Sequence, residues 1–199
     1  MLRKEKPTAF DIFNILDLSE MIGEDKVQEI LSDFFCPKNV EIEVFFQKKA
    51  MEFSRQKLSM TYLVFNENAE VAAAFSLAHK VLRFSNESLS KTAEKKIRKF
   101  SHIDPSDNAY TVSAFLIAQF SKNYNCHTEP ISGNELMQLA FKVLKKVQHE
   151  IGGGIVYLEC EDRKPLLDFY QNTENHFKVF DERFSDVDHT KYMQLFRFF

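Results

Sequence analysis

The sequence predicts a single α+β domain, and three observations lead there. Short runs of strand formers, Thr61–Phe65, Tyr110–Phe120 and Ile155–Leu158, are each bounded by polar or turn residues. Two longer stretches repeat apolar residues at helical spacing instead, at Ile42, Phe45, Phe46, Ala50 and Phe53 and again at Leu136, Leu139, Ala140, Val143, Leu144 and Val147. Strand-like and helix-like stretches alternate along the chain with no repeat and no Pro/Gly/Ser-rich linker. The 199 residues fit one domain, which runs to roughly 100–200 residues, so one unit over 1–199 is expected, with 1–33 its least patterned part.

Taken in order, Thr8–Leu31 mixes apolar Phe10, Ile12, Phe13, Ile15 and Leu16 with a short helical reading at Asp25–Leu31. Glu41–Phe53 is predicted as one amphipathic helix. Thr61–Phe65 and Val71–Val81 read as a hairpin closed by the turn Asn66–Glu70, whose Asn and Glu favour non-extended backbone. The polar, lysine-rich segment Ser85–Phe100 interrupts the sheet, with helical character at Lys91–Lys99 and a loop at Asp104–Asp107. Tyr110–Phe120 is a central strand that stops at Ser121-Lys122-Asn123-Tyr124. A helix opening near Ser132-Gly133 ends before Gly152-Gly153-Gly154. Ile155–Leu158, a short helix Pro165–Gln171 begun by proline, and the closing strands Phe177–Phe180 and Tyr192–Phe198 complete the chain.

Composition narrows the function classes. With 44% hydrophobic and 28% charged residues the chain falls among folded globular proteins. Its 21 Phe and absence of Trp predict a core filled by phenylalanine. No apolar run of about 18 residues occurs, and the start Met1–Lys6 is not a secretory signal, so a cytoplasmic protein without membrane contact is expected. Cys36, Cys126 and Cys160 are scattered and predict free thiols. The six histidines show no HExxH-like spacing, which argues against a metal site. A net charge of −3 gives no global attraction to nucleic acid.

Four stretches resemble the GNAT N-acetyltransferase family, nearest to its branch of bacterial toxin-type acetyltransferases. Phe34-Phe35-Cys36 with Ile42–Phe46 and Lys49-Ala50 looks like that branch's amino-terminal helix, and Met60–Val64 like the strand after it. Ala114–Phe120 is similar to the family's central strand. Ser132–Leu136 is similar to the start of the helix after the pyrophosphate loop. Leu158-Glu159-Cys160 with Leu167–Tyr170 and Phe177 looks like the stretch carrying the family's tyrosine. The resemblance covers roughly 34–198 and implies a mixed, mostly antiparallel sheet of about six or seven strands, flanked by helices and splayed at the central strand. It also implies acetyl-CoA as cosubstrate and a primary amine as acceptor.

By this resemblance Phe120, Ser121, Lys122 and Asn123 form the edge that pairs with the pantetheine arm, because a splayed strand leaves backbone N–H and C=O groups open to an added strand. Ser132, Gly133, Asn134 and Glu135 stand at the phosphate end, where backbone N–H groups and the helix dipole favour anions. The family's Gln/Arg-x-x-Gly-x-Gly/Ala loop is here Thr128–Gly133, with only the last glycine kept; Pro130 removes one N–H and Glu129 adds a negative charge. Tyr170 takes the place of the tyrosine that gives a proton to the departing thiolate. Glu159, on the same side of its strand as Glu161, is the candidate to hold or deprotonate the amine. Cys160, between them, receives no role.

The toxin branch acetylates the amino group of aminoacyl-tRNA, and Lys91, Lys95, Lys96, Arg98 and Lys99 form a basic stretch that would attract phosphate, or a solvated helix face. An antitoxin partner is implied by the same branch. Phe196, Phe198 and Phe199 put apolar surface at the terminus, to be covered by a second copy in a homodimer or by the monomer's own core. The rival to a transferase is a non-catalytic acyl-CoA-binding or interaction module, which the eroded glycine loop motivates.

Overall fold

The structure, a computed structural model, describes residues 10–199; the Met1–Lys6 start and Thr8 lie outside them. The chain divides into two compact units: one runs up to Leu77 and includes Gln119–Ala140, the other is Ala78–Ala118 with Phe141–Phe199.

The first unit holds β1 (Phe10–Asn14), α1 (Ile15–Ile22), α2 (Glu24–Ser32), α3 (Val40–Lys48), α4 (Ala50–Arg55) and β2 (Met60–Asn66). It also holds the start of β3 (Val71–Ser85), the end of β5 (Ala109–Lys122) and the start of α6 (Gly133–Ile151). Asparagine side chains open two of these helices, Asn14 accepting from Leu16 N and Asn39 from Ile42 N. Gly23, at φ 89, makes the corner between α1 and α2, a conformation that a Cβ disfavours. The single helix expected over Glu41–Phe53 is divided: Lys49 (φ −118, ψ −23) separates α3 from α4. Both pieces still bury their apolar residues, Phe45 and Phe46 from one and Ala50 and Met51 from the other, in a core shared with Ile15, Leu31, Phe34 and Leu63. Helical spacing therefore survives the break, which is why the sequence reads as one helix. β1, in a stretch whose sequence pattern is mixed, pairs antiparallel with β2 from Phe10↔Asn66 to Asn14↔Tyr62. As a half-buried strand of five residues it shows no clean alternation.

In the second unit are the remainder of β3, α5 (Lys91–Ile97), β4 (Ile103–Asp104), most of β5 and the later turns of α6. β6 (Ile155–Glu161), α7 (Lys164–Gln171), β7 (Lys178–Ser185) and β8 (Thr190–Phe198) complete it. Its core collects Leu82, Phe84, Ile97, Tyr110, Val112, Ile155, Tyr157, Phe180 and Phe196. The predicted phenylalanine packing is borne out there: Phe84, Phe180, Phe196 and Phe198 touch ring to ring. The closing rings that had two readings are packed within this unit, with Phe196 4% exposed and Phe199 against Phe115 and Phe141.

The strands form an eight-stranded sheet ordered β1-β2-β3-β5-β6-β8-β7, with β4 pairing β5 off this path. β1–β2, β2–β3, β4–β5, β6–β8 and β7–β8 are antiparallel; β5 and β6 are parallel, joined through α6, as a parallel pair requires a crossover. The expected architecture, mixed and mostly antiparallel with helices around it, is the one observed. No helix among the described residues is long and apolar enough to cross a membrane.

Candidate functional site

Within the second unit the β5–β6 ladder is short. Phe115 pairs with Val156 and Leu116 with Tyr157, and the registered pairing ends there although β6 continues to Glu161. On its other edge β6 stays in register with β8 throughout, from Ile155↔Phe198 to Glu161↔Tyr192. The registered pairing of the central strand with its parallel neighbour is thus two residue pairs long, while that neighbour stays paired with β8 along its whole length.

Tyr170 sits in the last turn of α7 and is 8% exposed. Pro165 near the helix start pre-sets its backbone angle. The ring is held by Phe169 and Phe177, at centroid distances of 5.0 and 6.0 Å, and its carbonyl accepts from Phe177 N at 3.0 Å. No acceptor among the described residues holds its hydroxyl. Burial, with the Cys160 charge adding, raises the Tyr170 phenol well above its ordinary value, so it is a proton carrier across the neutral range. Cys160 is itself buried, and burial together with Asp162 and Glu161 pushes its thiol up to about 12, which leaves no thiolate for nucleophilic work.

Glu159 is placed on β6 opposite Gln194 of β8. Its Oε1 accepts from Gln194 Nε2 at 2.6 Å and its Oε2 from the Arg183 guanidinium at 2.7 Å. Alternation along β6 puts Glu159 with Tyr157 and Glu161 on one face and Cys160 on the other. Arg183 and Gln194 were not foreseen; the register of β8 against β6 brings Gln194 to Glu159, and sequence distance gives no hint of it.

The other candidate residues lie in the first unit. Ser121 is buried, its hydroxyl donating to Lys122 O at 2.8 Å and meeting Cys36 Sγ at 3.1 Å, so its side chain is turned into the core and only its backbone remains available for an edge role. Lys122 makes no ion pair among the described residues. Asn123 ends the strand: its N–H donates to Ala72 O, its Nδ2 to Val71 O, and its Oδ1 accepts from Phe35 N.

α6 opens as predicted, at Gly133. Ser132 and Glu135 form a reciprocal cap, Ser132 N donating to Glu135 Oε2 at 2.9 Å and Glu135 N to Ser132 Oγ at 3.2 Å. The Ser132 hydrogen bonds lower the pKa of the Glu135 carboxyl. The anion at this helix start is therefore the chain's own carboxylate. Among the described residues no group of three or more His, Cys, Asp or Glu could hold a metal ion.

No family model matches the chain, and the search of curated proteins finds no relative. Solved structures do match. A tyrosine-to-phenylalanine mutant of the AtaT toxin is similar over 100% of this chain and 94% of its own, with TM-score 0.62 and 11% identity. A tyrosine-to-phenylalanine mutant of KacT covers 96% of this chain and 95% of its own, with TM-score 0.63 and 14% identity. AtaT complexed with acetyl-methionyl-tRNAfMet covers 92% and 93%, with TM-score 0.60 and 12% identity. At these identities the likeness establishes architecture alone: this chain has the GNAT-type fold of those toxin structures.

Proposed function

We propose that the chain is an acetyl-CoA-dependent N-acetyltransferase that acts on a primary amine by direct attack, with Tyr170 as general acid. The observation that carries this reading is the β5–β6 ladder that ends after Leu116↔Tyr157, with β5 running on to Lys122. Edge backbone of this kind suits the amide arm of a pantetheine, and Phe120–Asn123 would supply it. Ser132–Glu135 would stand at the phosphate end.

The amine nitrogen bonds to the thioester carbonyl carbon and gives its proton to water, the C–S bond breaks, the departing sulfur takes a proton from the Tyr170 hydroxyl, and the phenolate regains one from solvent. A phenol kept neutral by burial, and with no hydrogen-bond acceptor among the described residues, suits that donation. Four of the matched toxin structures, three of AtaT and one of KacT, carry a Tyr-to-Phe substitution, which supports a working tyrosine in this fold. Glu159, with both carboxylate oxygens already accepting and its charge paired with Arg183, is poorly suited to take the amine proton.

Aminoacyl-tRNA is the acceptor class with specific support: one matched structure holds acetyl-methionyl-tRNAfMet, and others are bound to acetyl-CoA and to the carboxyl terminus of the antitoxin AtaR. A silent acyl-CoA binder is the competing reading, motivated by a Thr128–Gly133 loop that keeps a single glycine. Calorimetric titration with acetyl-CoA, followed by thiol release over small amines, peptides and charged tRNA, separates the three. Saturable binding with thiol release supports a transferase, and release with charged tRNA alone identifies its acceptor. Binding without release from any amine overturns the enzyme reading, and no binding overturns both.

A further inference from the structure

The segment that stands where a glycine-rich phosphate loop would be, Thr128–Gly133, is held by side chains reaching across from the β2–β3 turn. Asn66, 5% exposed at the end of β2, organises that turn by accepting from Asn68 N at 3.0 Å and Glu70 N at 2.9 Å through Oδ1. Its Nδ2 donates to Thr128 O at 2.7 Å. The Glu70 carboxylate accepts the Thr128 hydroxyl at 2.5 Å and the Thr128 N–H at 3.2 Å, both on Oε2. Asn68 Nδ2 also donates to the Thr128 hydroxyl at 3.0 Å. All the polar backbone and side-chain groups of Thr128 are thus engaged by three residues of one turn, 58 to 62 positions away in sequence.

The neighbouring residues are fixed by other means. Asn123 ties the loop's start to Val71, Ala72 and Phe35, and Asn125 Nδ2 donates to Asp33 O at 2.8 Å. Ile131 is buried at 1% exposure, and the Ser132–Glu135 cap follows directly. Between these anchors Glu129 takes a left-handed φ of 48, which a non-glycine residue adopts at a cost that the surroundings must meet. Thr128 is the anchor immediately before that residue. A glycine loop lets its backbone wrap a phosphate by freedom; here a fixed conformation has to do the same work.

We propose that Glu70 and Asn66 are positioning residues for the cofactor: by clamping Thr128 they hold the 128–133 segment, strained Glu129 included, in the conformation that receives the phosphate end of acetyl-CoA. This rests on the acetyl-CoA reading above. Neither residue touches the cofactor in this role, so their loss acts through the loop.

Hydrogen exchange at the amides of 128–133, measured with the acetyl-CoA dissociation constant and kcat for wild type, Glu70→Ala, Glu70→Gln and Thr128→Val, tests it. The expected result is faster exchange over 128–133 and about tenfold weaker acetyl-CoA binding in Glu70→Ala and Thr128→Val. At saturating acetyl-CoA kcat is unchanged, and Glu70→Gln recovers part of both losses because its amide oxygen still accepts from Thr128. Unchanged exchange in Glu70→Ala overturns the clamp. Faster exchange with unaltered affinity overturns its role in cofactor positioning. A wild-type chain that exchanges slowly at 128–133 yet binds no acetyl-CoA overturns the transferase reading instead, and with it the cofactor half of this proposal. Glu70→Ala exchange decides the clamp in that case too.

Discussion

Tyr170 illustrates how burial alone prepares a side chain for one task. Surrounded by Phe169 and Phe177, the phenol is kept neutral, so it offers a proton at any pH where the protein is folded and the amine can react. Removing the hydroxyl leaves the ring packing intact, and Tyr170→Phe is expected to lower turnover by about 10²- to 10⁴-fold with an unchanged melting temperature. Turnover equal to wild type in a folded variant would reduce Tyr170 to a packing residue. Because a raised pKa keeps the acid protonated through neutrality, the alkaline limb of the wild-type pH–rate profile is expected above 10, the ordinary phenol value. Glu135 poses the opposite question, since its charge occupies the start of α6. Glu135→Gln keeps a capping side chain while removing the charge. Acetyl-CoA is expected to bind several-fold tighter to it, with stability lower by about 0.3–1 kcal/mol from the lost charge–dipole interaction. Weaker binding by titration would mean that the carboxylate assists the cofactor rather than competing with it.

At the scale of elements, α6 has both of its ends specified by identifiable residues. Its start is the Ser132–Glu135 cap, and its end is a pair of left-handed glycines, Gly152 at φ 77 and Gly153 at φ 106. Gly153 also lies against the Phe115 ring, where an added Cβ would come within 2.8 Å of a side chain that is 3% exposed. Neither relaxation is easy, because the backbone angle penalises any side chain and the ring is packed. Gly153→Ala is therefore expected to destabilise the protein by about 1–3 kcal/mol, read as a lower denaturation midpoint at unchanged slope. Gly152→Ala, with open space around its Cβ, bears the backbone penalty alone and is expected to cost less. Equal losses at the two positions would show that the Phe115 contact contributes nothing. Sequence made this helix legible because the cap, the apolar face and the glycines are all local. It did not make the Lys49 break between α3 and α4 legible, since both pieces continue to point phenylalanine and methionine into one core.

For the molecule as a whole, the basic stretch reads differently once folded. Arg98 is bonded to Glu94 at 2.6 Å and to the Tyr110 hydroxyl, and Lys96 lies over the Phe198 ring at 4.9 Å, so these two have structural work within their own unit. Lys91, Lys95 and Lys99 form no ion pairs among the described residues and are the charges left for a polyanion. If charged tRNA is the acceptor, replacing these three with alanine is expected to weaken its binding and reduce the slope of log K against log salt by up to about 2.7, at about 0.9 per phosphate contact. An unaltered salt slope, measured by filter binding, would remove this face from any nucleic-acid role.

Local order along the chain was enough to predict an α+β sheet, the central strand with its stop near Lys122, the start and end of α6, and a tyrosine on a short proline-begun helix. Each depends on neighbours within a few positions: periodicity, caps, turn residues. What the sequence could not decide are relations between distant residues. The early end of the β5–β6 ladder, the pairing of Glu159 with Arg183 and Gln194, the inward turn of Ser121 toward Cys36, and the hold of Asn66 and Glu70 on Thr128 all arise when strand register brings together side chains far apart in the chain. A hydrogen bond requires about 3 Å between two atoms, whatever the chain length between them. Only folding sets that distance.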